Sequence, residues 1–495
     1  MTVLLTGRDL TRDELVRVAR GSEPVALDER ARARMDATRA VVEAAVARGD
    51  AVYGTTTGVG VLKRIGVPAA DAAAYSNHML AHHTVGHGEP VPADLVRGTM
   101  VRLANHLAEA SPGVRPAVAE RLIRALNDGE TPPVRPIGSV GSADLVPLAE
   151  LVVPLFRDVP LEPGEGTALL DNNAFATAWA ALALTDAHRL VALLEVAGAL
   201  SLEGFAANPS PLHDAVAAAR PYPGIRDSVA RLRTLLEGSA LHDPGVPRQL
   251  QDPLTFRNLP QLLGAARDAL AHADEVLAIE LNANQGNPIV VAAEGRLVSV
   301  ANFEILPLAA VLDHVRVVLA SVLSAASERV TKGLYPAWSG LPTGLVPEPG
   351  TAEAGLTYLS LAAQSLAVEA RLLAQPVSFE LVSTSHAEGI EDRTTSAPLA
   401  ARRLAEQIEL GRRIAAIELT VASQAVELRG IRQGHGTATA RGIVRRHVPF
   451  LGLGEHVPDV EPLVAAIRDG AFDERTGDGR DGIDAEPGQG DDDGA

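Results

Sequence analysis

Cysteine is absent from the 495 residues of this chain, which excludes disulfides, thiolate nucleophiles and zinc–cysteine centres. Metal binding would rest on His and carboxylates. The 14 His fall nowhere into the HExxH spacing of a zinc hydrolase, so no metal is expected. Basic charge is short: 44 Lys and Arg face 62 Asp and Glu, and the net charge of −18 repels phosphate backbones and anionic membrane surfaces. Nucleic acid is not an expected partner. No uncharged apolar run approaches the roughly 20 residues that cross a bilayer, and residues 1–20 alternate charge with short apolar stretches. The expectation is a soluble cytoplasmic protein with no membrane partner. Apolar residues are also scarce after about residue 474, where Gly and Asp dominate. Such a segment cannot repay the entropy of ordering and is expected to form a disordered acidic tail.

What is present is helical punctuation. Thr11 can cap a turn holding Asp13 and Glu14, and residues 31–47 repeat apolar positions at spacings of three and four. The pattern breaks at 51–66, where YGTTTGVG is too rich in Gly and β-branched residues for a regular helix and reads as a structured loop. Helical periodicity returns at 70–83, 93–109, 115–127 and 145–156, with Pro132, Pro133 and Pro136 forcing an extended approach to the last of these. Long apolar runs follow at 174–205, 260–284, 305–331, 354–375 and 397–430, interrupted by one hairpin with strands near 289–291 and 296–300 that turns at Glu294-Gly295. The expected fold class is all-α. A loop-rich N-terminal region over 1–205 precedes a long antiparallel central and C-terminal helix bundle over 206–473 and the tail over 474–495.

The segment Tyr53-Gly54-Thr55-Thr56-Thr57-Gly58-Val59-Gly60 carries a phenol on a Gly-rich loop, and a phenol can act as a base if its pKa is lowered. Alone, the segment equally describes a loop tyrosine capping backbone groups. Context comes from an ordered set of further segments: HMLAHHTVGHGEP at 78–90, GVRP at 113–116, GSVGSADLVPLAE at 138–150, EGTALLDNN at 165–173 and QDPLTFRNLPQLLG at 251–264. ELNANQGNPIV at 280–290, ANFEILPLA at 301–309, SERV at 327–330, VEARLLAQPVS at 368–378 and IEDRTTS at 390–396 complete it. In this order they resemble the histidine and phenylalanine ammonia-lyase superfamily, with its tyrosine ammonia-lyases and aminomutases, over about residues 5–470. The resemblance implies a histidine ammonia-lyase-like helical fold and a homotetramer whose active sites draw loops from more than one subunit.

That family builds a methylidene-imidazolone (MIO) ring from Ala-Ser-Gly within GSVGASGDLxPLA. Here residues 138–141 and 144–149 match, but only Ser142 and Ala143 stand between them, so the loop is one residue short and has no glycine after the serine. Cyclisation needs a close backbone approach that a residue without Cβ permits more easily. Gly141-Ser142-Ala143 is therefore a degenerate cofactor loop, and no cofactor is expected. Asp171, followed by Asn172, stands where the family has the asparagine of LxNG, Leu254 where it has the tyrosine of QDxYSxR, Gly286-Asn287-Pro288 for DNP and Leu306 for the glutamine of NFHGQ. The resemblance assigns proton transfer to Tyr53, and Asp171 and Glu369 join it as catalytic candidates. It assigns the substrate carboxylate to Arg257, polar contacts to Asn172, Asn302 and Glu391, and side-chain reading to His82 and His83. Plainer roles stand beside these: an interhelical ion pair for Arg257, a helix surface for the two histidines, a helix cap for Asp171. Glu369 on an apolar helix needs a polar cavity or a cationic partner.

Without an electrophilic ring an amine leaves poorly and a benzylic Cβ proton is weakly acidic, so the substrate must supply a better leaving group or a more acidic proton. The expected function is an MIO-independent lyase of specialised metabolism, performing elimination, conjugate addition or cyclisation on an amino-acid-derived carboxylate. Tyr53 would be acidified from its ordinary value near about 10 by helix N-termini or a cation such as Arg257. A catalytically silent relative that binds a ligand or scaffolds a partner is one alternative. An ammonia-lyase or aminomutase with an unusual route to MIO is the other.

Overall fold

The structure, a computed structural model, describes residues 2–379 and 387–473; the acidic tail expected after 474 lies outside them. The chain opens with β1 (Val3–Leu5), α1 (Arg12–Gly21) and β2 (Val25–Leu27), and the two strands pair in parallel with Val3 opposite Val25 and Leu5 opposite Leu27. Strands of three residues are too short to announce themselves by alternation, and the sequence reading has no counterpart for them. Thr11 caps α1 as expected. Its side chain accepts the Glu14 N–H and the Glu14 carboxylate accepts the Thr11 N–H, a reciprocal capping box.

After α2 (Glu29–Arg48) comes the expected loop, which holds one 3-10 turn at Gly60–Arg64. Five helices follow, α3 (Ala72–His82), α4 (Ala93–Ala108), α5 (Pro116–Asp128), α6 (Leu145–Leu155) and α7 (Glu165–Leu170), before the long α8 (Ala174–Phe205). Next are α9 (Asp214–Ala219), α10 (Pro223–Leu235), α11 (Leu254–Arg257) and α12 (Leu259–Glu280). The predicted hairpin is present as β3 (Ile289–Val291) and β4 (Arg296–Val298), antiparallel, with Gly295 in the left-handed conformation its turn requires. The chain ends with α13 (Leu306–Gly333), α14 (Pro336–Ser339), α15 (Leu359–Leu373), α16 (Ala397–Arg429), α17 (His435–His447) and α18 (Glu461–Arg468).

The all-α expectation holds. α8 lies at the centre, packed on α16, α4, α12 and α13, and its Ala-rich faces let neighbours approach closely: a Cβ on Gly204 would lie 3.0 Å from the Cβ of Ala425. α13 is long and apolar enough to cross a membrane by length and composition, yet most of its apolar window is buried within the protein, where the helix packs on α12, α15 and α16. A charged lock sits inside this bundle. Arg329 of α13 and Glu418 of α16 form a two-point pair, Nε to Oε1 at 2.6 Å and Nη2 to Oε2 at 3.1 Å, with both side chains 1% exposed. Ser201 of α8 donates to the same carboxylate at 2.8 Å.

Breaking such a pair from one side strands a buried charge, at a cost of about 3–5 kcal/mol. Arg329→Met should therefore lower the thermal midpoint markedly, and adding Glu418→Leu should recover much of the loss. Equal midpoints for the single variant and the parent chain would show that the pair does not hold the bundle.

Candidate active site

Three segments meet at the N-terminal end of α8. The loop between α2 and α3 brings Tyr53. Gly54 behind it has φ +64 and lies so close to α7 that a Cβ would fall 2.3 Å from Thr167 Oγ1, which donates to the Gly54 carbonyl at 2.6 Å. The turn thus holds Tyr53 rigidly, and the Tyr53 hydroxyl accepts the Gly60 N–H at 2.9 Å. The residues leading into α8 bring Asp171, and those leading into α16 bring Glu391, whose Oε1 lies 3.7 Å from where a Gly60 Cβ would sit.

Electrostatics at this junction run against the sequence expectation. Burial raises the Tyr53 hydroxyl above its ordinary value, the Gly60 N–H opposes that, and the charges of Asp171 and Glu391, with Tyr75, raise it further. The chain alone does not acidify this phenol. Asp171 is pushed up to about 8 by burial first and Glu391 second, against a hydrogen bond from Asn287. Asn287 is oriented for this by the Val300 N–H, which donates to its Oδ1 at 2.9 Å.

The degenerate cofactor loop is fastened to the same helix end. Asp144 is fully buried, accepting Ser139 Oγ–H on Oδ1 and the Ala176 N–H on Oδ2, each at 2.8 Å, and burial pushes it up to about 6. Its own N–H donates to the Asn172 carbonyl at 2.8 Å. Asn172 is itself fully buried, taking the Ala174 N–H at 3.0 Å and donating to the Ala168 carbonyl at 3.1 Å, so it fastens α8 to α7. Beyond Asp144, the Gly141 carbonyl accepts Thr395 Oγ1–H at 2.8 Å, Ser142 Oγ donates to the Arg393 carbonyl at 2.6 Å, and Ser142 bridges Glu304. Asn302, two residues before Glu304, is exposed. Ala143 is buried at φ +64. At the end of α3, His82 is exposed and His83 is partly buried with Nδ1 2.8 Å from the Met79 carbonyl, which directs Nε2 elsewhere.

Two candidates lie apart from this group. Glu369 is exposed on α15, beside Leu372. Arg257 ends α11, where it donates through Nε to the Asp252 carbonyl at 2.7 Å and where Phe256 stacks on Phe205, the last residue of α8, at 4.1 Å. The 32 residues of α8 span about 48 Å at 1.5 Å per residue, so within one chain Tyr53 and Arg257 sit at opposite ends of that helix. Arg257 is not the cation that acidifies Tyr53 of its own chain. Conversely, Tyr75 and Asn287 belong to the group although the sequence reading did not single them out as site residues. Tyr75 sits mid-helix with no local motif, whereas Asn287 stood in a quoted segment and its polar side chain beside Pro288 was the available signal.

A model of the family described as aromatic amino acid lyase matches residues 10–159 and 156–446. The chain is 35% identical to the histidine ammonia-lyase of Anaeromyxobacter dehalogenans, over 95% of this chain and 99% of that protein, and 32% identical to that of Streptococcus sanguinis over 93% and 94%. Among solved structures it is similar to an ergothioneine-degrading ergothionase from Treponema denticola, with a TM-score of 0.90 at 27% identity over 95% of this chain and 99% of that one. The tyrosine aminomutase of Streptomyces globisporus gives 0.87 at 27% identity over 95% and 98%.

The raised carboxyls predict a pH dependence of stability. A folded pKa above the unfolded value near about 3.9 means that folding favours the protonated acid, so the stabilisation is complete below about 4 and is lost as pH rises through the folded value. For Asp144 that loss ends near about 6 and for Asp171 near about 8. The thermal midpoint should fall between about pH 6.5 and 9 in the parent chain and fall less in Asp171→Asn; identical slopes would show that Asp171 titrates normally.

Proposed function

Because this chain belongs to the aromatic amino acid lyase family, we propose that it is a lyase that works without the MIO ring, with Tyr53 as base, on an amino-acid-derived carboxylate. The observation that carries this reading is the loop at Gly141-Ser142-Ala143. The turn already sets Gly141 opposite Ala143, so proximity is not what is missing. What opposes ring closure is one absent residue and the Cβ on Ala143, which holds a left-handed conformation that costs an L-residue about 1–2 kcal/mol. The Ser142 hydroxyl that dehydration would remove is engaged by the Arg393 carbonyl. The residues present do not fit the ring. The similarity to a solved relative that degrades ergothioneine supports a lyase-type reading.

Tyr53 as phenolate would take a proton from Cβ, with the turn at Gly54 and the Gly60 N–H fixing the oxygen and stabilising its charge. Arg257 would pair the substrate carboxylate through its planar fork. Since the two lie at opposite ends of α8, a complete site takes them from different copies of the chain. Exposed Leu361, Val368 and Leu372 along α15, and Leu250 and Leu254 beside Arg257, supply apolar surface for assembly as a homotetramer.

The intact mass should equal the encoded mass; loss of two water molecules from a peptide containing Ser142 would restore a conventional ammonia-lyase or aminomutase. Tyr53→Phe should lower kcat by about 10²–10⁴-fold with ligand binding retained, while Arg257→Ala should mainly raise KM. Mixed oligomers of these two variants should regain part of the activity, because one site in the mixture receives both intact residues. Binding without turnover by the parent chain, across amino-acid derivatives, would favour a silent relative.

A further inference from the structure

His106 of α4 is buried behind the candidate site, with 1% of its surface exposed. Neither of its ring nitrogens hydrogen-bonds a described residue. The Ala283 carbonyl, which faces the ring, already accepts Arg102 Nη2–H at 2.8 Å. Leaving both nitrogens unmet is costly, because burial strips their water and supplies nothing in exchange. The orientation of the ring shows where a partner fits. A Cβ on Gly286 would lie 3.5 Å from His106 Cε1, the carbon between the two nitrogens, and 3.2 Å from the Asp171 carbonyl oxygen. The edge that carries both nitrogens therefore faces Gly286, and there it lines a cavity with about 20 Å³ of room for water centres.

We propose that this cavity holds one water molecule, clasped between His106, the Asn287 amide and the threonines under Tyr53, and that through it His106 acts as a positioning residue for Asp171. The proposal rests on Tyr53 and Asp171 being site residues, as in the lyase reading, but not on turnover. A water requires about 10–15 Å³ of such room, so the cavity admits one molecule and excludes an organic ligand. Burial first, and the Arg102 guanidinium second, push the imidazole down to about 3, so it is neutral and offers one donor and one acceptor, the complement of a water. The same guanidinium disfavours a cation. Thr55, beside the turn at Gly54, also lines the cavity, as does Thr167, whose Oγ1 donates to the Gly54 carbonyl at 2.6 Å and keeps lone pairs for a further donor. Asn287 completes the lining. Its Oδ1 is taken by the Val300 N–H at 2.9 Å, so the amide nitrogen is what donates to Asp171, and its second N–H is available to the water. The water thus joins α4 to the turn beneath Tyr53 and to the chain at 286–288 that holds Asp171. An amide fixed at every corner cannot swing away from the carboxyl, whereas one with an unmet N–H can.

The test needs no substrate. High-resolution diffraction from crystals of the full-length protein should show a water within hydrogen-bond distance of a His106 nitrogen and of Asn287 or a threonine. A second arm follows the thermal midpoint from about pH 6.5 to 10. Glu391 and Tyr53 face Asp171 in this range; Arg102, itself facing Glu280 and Glu109, stands by His106, which stays neutral throughout. The Asn287 bond favours the Asp171 carboxylate, so loosening it raises Asp171 further above about 8, and the fall in midpoint should level off about 0.5–1 pH unit higher in His106→Phe. His106→Gln, which restores a donor and an acceptor, should return it to the parent position. Gly286 is not in the left-handed region, so Gly286→Ala leaves His106 intact and sets a methyl in the space of the water. It should reproduce His106→Phe, and carries the test should that variant fail to fold; the two together should shift no further than either alone. In an Asp171→Asn background none of these shifts should appear. A purely structural histidine would lower the midpoint equally at every pH, and that result, or a cavity without water density, would overturn the proposal. Shifts of the expected kind in a protein that turns over no amino-acid derivative would uphold the buried water and sink the lyase reading.

Discussion

The buried carboxylate of Asp144 at the start of α8 is the contact on which the rest of the site depends. Through the Ala176 N–H it takes one of the donors that a helix end leaves unsatisfied, through Ser139 it orients the cofactor-type loop, and through its own N–H it grips the Asn172 carbonyl. Asn172 in turn accepts from Ala174, and Asn173 reaches toward the Gly141 carbonyl at 3.4 Å. The loop, the residue before the helix and the first helical turn therefore form one hydrogen-bonded unit. α8 carries that unit into a core of Ala and Leu shared with α4, α12, α13 and α16, so the positions of Asp171 and the Ser142 turn are as rigid as the bundle.

The long helices were legible because each of them is a sustained apolar run with clear ends. α8 was bounded at 174 and 205, where the structure has it, since Asn172-Asn173 before it and Ala206-Ala207-Asn208-Pro209 after it break the pattern. α10 and α17 escaped notice: both are 13 residues, both are dotted with Arg, and both follow Gly or Pro in stretches that read as loop. The β1–β2 pair escaped for a different reason, because its partners are about twenty residues apart and parallel pairing leaves no local trace.

Site residues separated along the same line. Tyr53, Asp171 and Glu391 were visible because they sit in short segments whose backbone demands, such as Gly54 against Thr167, leave marks in the sequence. Their mutual electrostatics were not visible. The direction of the Tyr53 shift depends on which charges face it, and that is decided by the return of the chain more than three hundred residues later with Glu391. Arg257 and Glu369 sit in equally well-marked segments, yet the single chain puts the first at the far end of α8 and the second on an exposed face of α15. A motif reports the local geometry a residue requires, and says nothing about which copy of the chain it serves.

Ala143 bears on which exchanges the loop tolerates. An L-residue held at φ +64 is strained, and replacement by glycine relieves that strain at the expense of some chain entropy in the unfolded state, so the exchange lies close to neutral for folding. A codon for alanine is one base away from a codon for glycine, and drift would visit that exchange freely if stability were the only filter. An exchange so close to neutral for folding makes Ala143→Gly a probe of the loop's chemistry that is uncoupled from its stability.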